Sequence, residues 1–241
     1  MIAIVGAGPA GSMAALKLAK SHDVTLFEEH EMVGKPVQCT GIVTETINQT
    51  IRLNPNVVMN KIEEARILAP NGKMISVHFK HPENIMDRGA FDEWLCQKAE
   101  NDGATILKGH RFMGLEQGKA KIEMVAKKKT KLFAFDHILG ADGPQSRVAK
   151  SAEMFGKRRF FTAMQATVQC KNDNAILFYP HIGQLGWAVP ESSTKMRIGV
   201  ASYENCPAYF NQILKMHPGP IIDRQAGLIP VYDPKLKTEK G

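Results

Sequence analysis

The run Ile2-Ala3-Ile4-Val5, followed at once by Gly6-Ala7-Gly8-Pro9-Ala10-Gly11, constrains this chain more than any other feature. Four apolar residues in a row suit a strand buried on both faces. Gly6 permits a tight turn, Gly8 lets a pyrophosphate approach the backbone, and Gly11 lets helix and strand pack closely. Pro9 and Ala10 then open a segment, residues 10–20, with Ala10, Met13, Ala14, Leu16 and Leu18 at helical spacing. The start of that helix offers free N–H groups and a partial positive charge to phosphates. A second strand, 23–27, ends in Glu28-Glu29. There a carboxylate can accept hydrogen bonds from ribose hydroxyls. A glycine turn without a ligand does not explain Glu28. The whole reads as one βαβ unit that binds a dinucleotide. The acidic strand end disfavours a ribose 2′-phosphate, which would want arginine, and leaves FAD or NAD.

The rest of the chain reads less regularly. Residues 62–69 and 74–80 form a strand pair around Pro70-Asn71-Gly72, and 84–88 is a short extended piece. Phe91, Trp94, Leu95 and Ala99 mark an amphipathic helix stopped by Asn101-Asp102-Gly103. Strands follow at 104–108, 120–126, 131–136 and 137–141. Beyond about 155 the texture changes to the strand-like segments 160–170, 175–179, 185–189 and 196–201, a helix near 207–216 and an extended tail. These predict a dinucleotide domain over 1–155, with a small strand-pair insertion near 60–82, and a β-rich second domain over 156–241.

Composition narrows the function classes. The chain has 241 residues, 44% of them hydrophobic and 23% charged, which suits a globular protein of one or two domains. No apolar run is long enough to span a membrane. The chain starts directly with a strand-like MIAIVG, so a signal peptide is not expected. Four scattered cysteines, Cys39, Cys96, Cys170 and Cys206, form no C-x-x-C pair. They predict neither a zinc site nor a disulfide framework, and they suit a reducing cytoplasm. The eight histidines show no metal-ligand spacing, so no metal is expected. The net charge is +7. Its densest run, Lys127-Lys128-Lys129, reads as a solvated hairpin turn. No aromatic residues interleave it, so no nucleic-acid partner is expected.

Five further motifs carry a resemblance. LGADGPQSRV, beginning at Leu139, resembles the second flavin fingerprint of aromatic-hydroxylase-type flavoproteins. In that group Asp142 and Gly143 would approach the FAD pyrophosphate. Asp87-Arg88-x-x-Phe91-Asp92 is similar to another segment of the group, whose arginine lies near the flavin. Arg88 has two readings: a fixed cation for flavin or phosphate oxygens, or a helix-cap ion pair with Asp87 or Asp92. GATILKGHRF is similar to the strand whose backbone brackets the adenine, around Phe112. Pro36-Val37-Gln38-Cys39, then Thr40-Gly41, resembles a loop of the geranylgeranyl reductase family, whose cysteine lies close to the flavin ring. Thr40 departs from members that carry glycine and an acid after the cysteine. Cys39 reads either as a proton donor or as a small packed apolar residue. Gly186-Trp187-Ala188-Val189-Pro190 resembles the family's aromatic-x-Trp-x-x-Pro strand lining a lipid pocket, with Leu185 at the aromatic position. Trp187 reads as pocket lining or as core.

The resemblance implies an α/β fold: a three-layer FAD/NAD(P)-binding Rossmann-like domain with a mostly antiparallel β-rich substrate domain. It implies FAD as cofactor, with Gly6, Gly8, Pro9, Ala10, Gly11, Glu28, Cys39, Thr40, Gly41, Arg88, Phe112, Asp142 and Gly143 around it. It also implies reduction of isoprenoid lipid double bonds, with Cys39 as the candidate acid and Trp187 at the substrate. The electron donor, NAD(P)H or ferredoxin, stays open. The expected location is cytoplasmic, with peripheral contact at the inner membrane face. Family members continue past a stretch like Ile229-Pro230 to Pro234 into a Gly-Asp-Ala segment that completes the FAD domain, so this chain reads as truncated. Two alternatives remain: a flavin monooxygenase of the same fold, and a non-catalytic nucleotide- or lipid-binding module.

Overall fold

A computed structural model describes residues 1–240. In chain order the elements are β1 (Ile2–Val5), α1 (Pro9–Leu18), β2 (Val24–Phe27), β3 (Ile42–Val43), β4 (Val58–Leu68), β5 (Met74–Met86) and α2 (Arg88–Asn101). Then come β6 (Thr105–Leu107), β7 (His110–Glu116), β8 (Lys119–Met124), β9 (Lys129–Phe133), β10 (His137–Gly140) and α3 (Arg147–Ser151). The chain closes with β11 (Phe160–Gln169), β12 (Ala175–Tyr179), β13 (Leu185–Ser192), β14 (Lys195–Ser202), α4 (Cys206–Met216) and β15 (Ile221–Pro230).

These elements form two compact units, each drawn from separate stretches of chain. Unit one takes Met1–Pro36, Gly89–Arg158 and the described part of the tail from Tyr232. Unit two takes Val37–Arg88 and Arg159–Val231. This corrects the expected division. Residues 37–88 are not a small insertion in the dinucleotide domain. Their two long strands belong to the second unit, because β4 pairs in parallel with β12, Ala175 facing Glu64. The tail also returns to unit one. A partner strand about a hundred residues away leaves no local trace in the sequence, which is why the division was misplaced.

Unit one is built on a four-stranded parallel sheet in the order β10-β1-β2-β6. Pleat alternation sends successive side chains to opposite faces. On one face Ala3, Val5 and Phe27 pack with Phe112, Ala120, Ile122 and Val148, contributed by β7, β8 and α3. Helix α1 packs along β1 and β2. The segment read as one strand around Phe112 is two: β6 joins the parallel sheet and β7 joins a separate antiparallel sheet, β7-β8-β9. Gly109 turns the chain between them. The lysine run does form a tight turn, with Lys128 at φ 50°.

Unit two is an eight-stranded sheet in the order β15-β11-β14-β13-β12-β4-β5-β3. It is antiparallel except at β12–β4. One face is covered by α4, whose Phe210 and Ile213 pack on Tyr179, Ala188, Ile198 and Val200. The opposite face carries Trp187, Val189, Ile62, Ile85, Ile176 and Ala201. Among the described residues no helix is long and apolar enough to cross a membrane.

Candidate functional site

In unit one the register sets Val5 between Phe27 and Gly140. The carboxyl ends of β2, β1 and β10 therefore stand side by side, the place where open parallel sheets receive ligands. Gly6 leaves β1 at φ +99°, and a Cβ there would lie 2.4 Å from the Ala141 carbonyl oxygen. A Cβ on Gly11 would lie 1.9 Å from the Gly6 oxygen. These two glycines serve the packing of strand, turn and helix. Gly8 differs: it caps α1 with φ −65°, and nothing lies within 4 Å of a Cβ built on it. Its missing side chain leaves open space in front of the helix start, where Pro9 and Ala10 begin the first turn. That space and those N–H groups fit a pyrophosphate.

Glu28 is buried at the end of β2. Its Oε2 accepts from the Ala7 N–H at 2.8 Å, and its Oε1 accepts from the His30 backbone N–H at 2.9 Å. Its carboxylate thus ties the second strand to the glycine turn and retains acceptor capacity for a hydroxyl. Asp142 follows β10. Its Oδ2 accepts from the Arg147 and Val148 N–H groups at 2.6 and 3.1 Å, and its Oδ1 from the Ser146 hydroxyl at 2.5 Å. Asp142 thereby caps α3 and organises the Ser-Arg part of its own motif. Gly143, at φ +79°, has nothing within 4 Å of a built Cβ. Phe112 gives its ring to the core, and its carbonyl accepts from Arg147 Nη1 at 3.4 Å. Arg88 is the first residue of α2, half-buried.

In unit two Cys39, Thr40 and Trp187 line one cavity of about 190 Å³, together with Gln38, Gln165 and residues 225–229 of β15. Gln165, buried in β11, is its organising group. Its Oε1 accepts from the Trp187 Nε1–H at 2.9 Å and from the Thr40 hydroxyl at 2.9 Å. Its amide nitrogen donates to Gln225 Oε1 at 2.9 Å. The Trp187 ring lies across Gly199 of β14, where a Cβ would meet ring carbon at 2.5 Å. Cys39 Sγ accepts a 3.4 Å contact from the Gly41 N–H.

The loop itself is held by Arg197. This buried guanidinium pairs with Glu191 and donates from Nη1 to the Thr40 carbonyl at 2.6 Å and the Met86 carbonyl at 3.1 Å. Gly41 sits at φ +82°, and a Cβ there would strike Arg197 Nη1 at 2.6 Å. Its glycine identity thus follows from this anchor. Gln165 and Arg197 were not legible as site residues, since each reads as the outward half of an alternating strand. The signal available was the pairing of these polar positions with the small residues Gly199 and Ala163 on the same face. Burial pushes the Cys96 thiol up to about 11 and raises Cys170 and Cys206. Among the described residues no three histidine, cysteine or carboxylate side chains are grouped to hold a metal ion.

The FAD binding domain family profile matches residues 1–205. A digeranylgeranylglycerophospholipid reductase of Methanococcoides burtonii is 26% identical over 98% of this chain. The chain spans 64% of that relative's length. The crystal structure of a geranylgeranyl bacteriochlorophyll reductase-like protein from Thermoplasma acidophilum superposes with a TM-score of 0.85 at 22% identity, covering 95% of this chain and 65% of the other. The flavin-dependent monooxygenase PieE, solved with FAD and substrate, superposes with a TM-score of 0.72 at 14% identity, covering 95% of this chain and 49% of the other. These two likenesses show the fold.

Proposed function

This chain belongs to the FAD binding domain family, and on that premise we propose that it is the larger part of a flavin-dependent reductase of isoprenoid lipid double bonds. The observation that carries the reading is the cavity of Cys39 and Trp187. It is apolar along Ala163, Trp187, Leu228 and Ile229, and three of its polar side chains, Gln165, Thr40 and Gln225, bond one another. Such a lining suits a hydrocarbon chain. The reductase names of the relatives support the substrate class.

Reduced FAD, when bound, supplies the hydride. The chain's own residues do the rest. The Gly8 space and the α1 N-terminus hold the pyrophosphate, and Glu28 accepts ribose hydroxyls. The glycine turn and the Asp142–Gly143 corner fix the approach of the phosphates. An isolated alkene is a poor hydride acceptor, so its alignment is supported by binding the long apolar tail. Trp187, held flat over Gly199 by Gln165, provides a rigid wall for that tail. Cys39 Sγ is the group in this cavity that can hand a proton to the second alkene carbon. Peripheral contact with a membrane surface belongs to the same reading, since the substrate resides there.

The test is anaerobic turnover of a geranylgeranyl lipid with dithionite-reduced FAD. Saturation of double bonds without oxygen is expected. Turnover that requires oxygen would instead identify a monooxygenase. A colourless protein that rejects added FAD would remove the enzyme reading for this chain. Cys39→Ser and Cys39→Ala, scored separately for flavin content and for turnover, divide proton transfer from packing. A chemical role lowers turnover in both with flavin content unchanged.

A further inference from the structure

Unit two holds a second, larger cavity that the reaction does not use. Its volume is about 810 Å³, and Asn48, Arg52, Met59, Asn60, Lys61 and Asn84 are among its lining residues. No acidic residue lines it. Apart from Asn60, its polar side chains keep donors that internal bonding leaves over. Asn48 uses its carbonyl oxygen for the Leu53 N–H, leaving its amide nitrogen free. Asn60 is fully committed and fixed, donating to Asn174 at 2.7 Å and to the Pro190 carbonyl at 3.1 Å. Arg52 and Lys61 form no ion pair among the described residues. Asn84 is the telling member. It is 7% exposed, and its side-chain amide keeps access to solvent at the cavity without a bond to another described residue, which leaves its N–H groups available to a ligand.

We propose that this cavity binds a phosphate oxyanion, gripped by Arg52, Lys61 and the Asn48 amide at the exposed rim and by the Asn84 amide deeper in. Two cations and two amide donors with no carboxylate suit several oxygens of one anion and repel cations. The cavity also stands next to the smaller one. Arg197 Nη2 touches Met59 Sδ at 3.2 Å on this side, while Nη1 holds the Thr40 carbonyl on the other. A single guanidinium, neutralised by Glu191, thus forms part of the partition between them. Resting on the isoprenoid reading, the phosphate is that of the lipid head, so that head and chain are read by adjoining cavities. The same donors would take free phosphate, and the two sources are separable.

The experiment is calorimetric titration of the 241-residue chain with inorganic phosphate, geranylgeranyl phosphate and geranylgeraniol. Geranylgeranyl phosphate is expected to bind at least about tenfold tighter than the alcohol, as charge-assisted bonds predict. Arg52→Ala, and Asn84→Asp, which turns an isosteric carboxylate toward the anion, should erase that margin and leave the alcohol's affinity unchanged. Arg52→Lys should restore part of it, and unaltered melting temperatures show that the variants fold. Phosphate binding that depends on Arg52 and Asn84 without a gain for the phosphorylated lipid supports the oxyanion site and assigns it to free phosphate. The same dependence with no binding of either isoprenoid leaves the anion site standing and removes the isoprenoid reading. Affinities for both phosphates that ignore Arg52 and Asn84 overturn the proposal.

Discussion

The indole N–H of Trp187 and the hydroxyl of Thr40 donate to the same atom, Oε1 of Gln165, each at 2.9 Å. One buried amide therefore fixes both the aromatic wall of the small cavity and the loop residue beside Cys39. Gln165→Leu strips both donors of their acceptor. It should cost about 1–3 kcal/mol of stability for each group left unpaired. Gln165→Glu keeps the acceptor and should cost less. Urea unfolding of the two variants checks the order, and an equal loss in both would show that the shared oxygen does not matter.

Arg197 anchors the same loop from the other side. Arg197→Ala leaves Glu191 as an uncompensated buried charge and frees the Thr40 and Met86 carbonyls. Breaking such a pair costs about 3–5 kcal/mol. The expected companion effect is faster amide hydrogen exchange at Thr40 and Gly41 than in the wild type. Exchange confined to other segments would mean the loop is held by something else.

The glycine turn allows its ligand role to be separated from its structural role. Gly11→Ala places a Cβ 1.9 Å from the Gly6 oxygen and should destabilise the fold. Gly8→Ala meets nothing within 4 Å and should fold normally. If pyrophosphate occupies the open space, Gly8→Ala weakens FAD by roughly tenfold or more through loss of close backbone approach. Flavin absorbance after gel filtration, beside the melting temperature, reads both effects. A Gly8→Ala protein that keeps wild-type flavin content would place the phosphates elsewhere.

Tyr179 and His217 give a pH dependence. The Tyr179 hydroxyl lies 2.8 Å from His217 Nε2, and burial holds the imidazole below its ordinary 6.5 while pushing the phenol up to about 12. The folded state thus prefers neutral His217, and the unfolded chain takes up the proton first as the pH falls. Stability from this group is complete above the unfolded value and declines below it, with a slope of at most about 1.4 kcal/mol per pH unit. Melting temperatures from about pH 7.5 to about pH 5.5 should therefore fall less steeply in His217→Gln than in the wild type. Identical slopes would mean His217 carries none of the effect.

The local motifs were legible because their causes are local. A buried strand, a glycine turn, a helix and an acid at the next strand end lie within thirty residues, and β1, α1, β2 and Glu28 stand where that pattern puts them. Loop and tryptophan were each legible as single residues, but their meeting at Gln165 was not. It depends on the register of β11, β14 and β13, which brings Gln165 opposite Gly199 and Gly199 opposite Trp187. Arg197 was hidden for a related reason. An arginine between Met196 and Ile198 reads as the solvent half of an alternating strand, and only the folded loop above it reveals that this half is covered. The role of residues 37–88 was hidden by distance along the chain.

The parallel pairing of β4 with β12 also governs how the protein can be cut. A piece ending near residue 155, the natural choice if the glycine turn were taken to head a self-contained domain, would carry β4 without its neighbour. An eleven-residue strand would then present an open row of amide and carbonyl groups, the template from which edge-to-edge aggregates grow. Soluble expression of the nucleotide-binding half calls for excising 37–88 and bridging Pro36 to Gly89, because the boundary of that half is topological and does not follow sequence order.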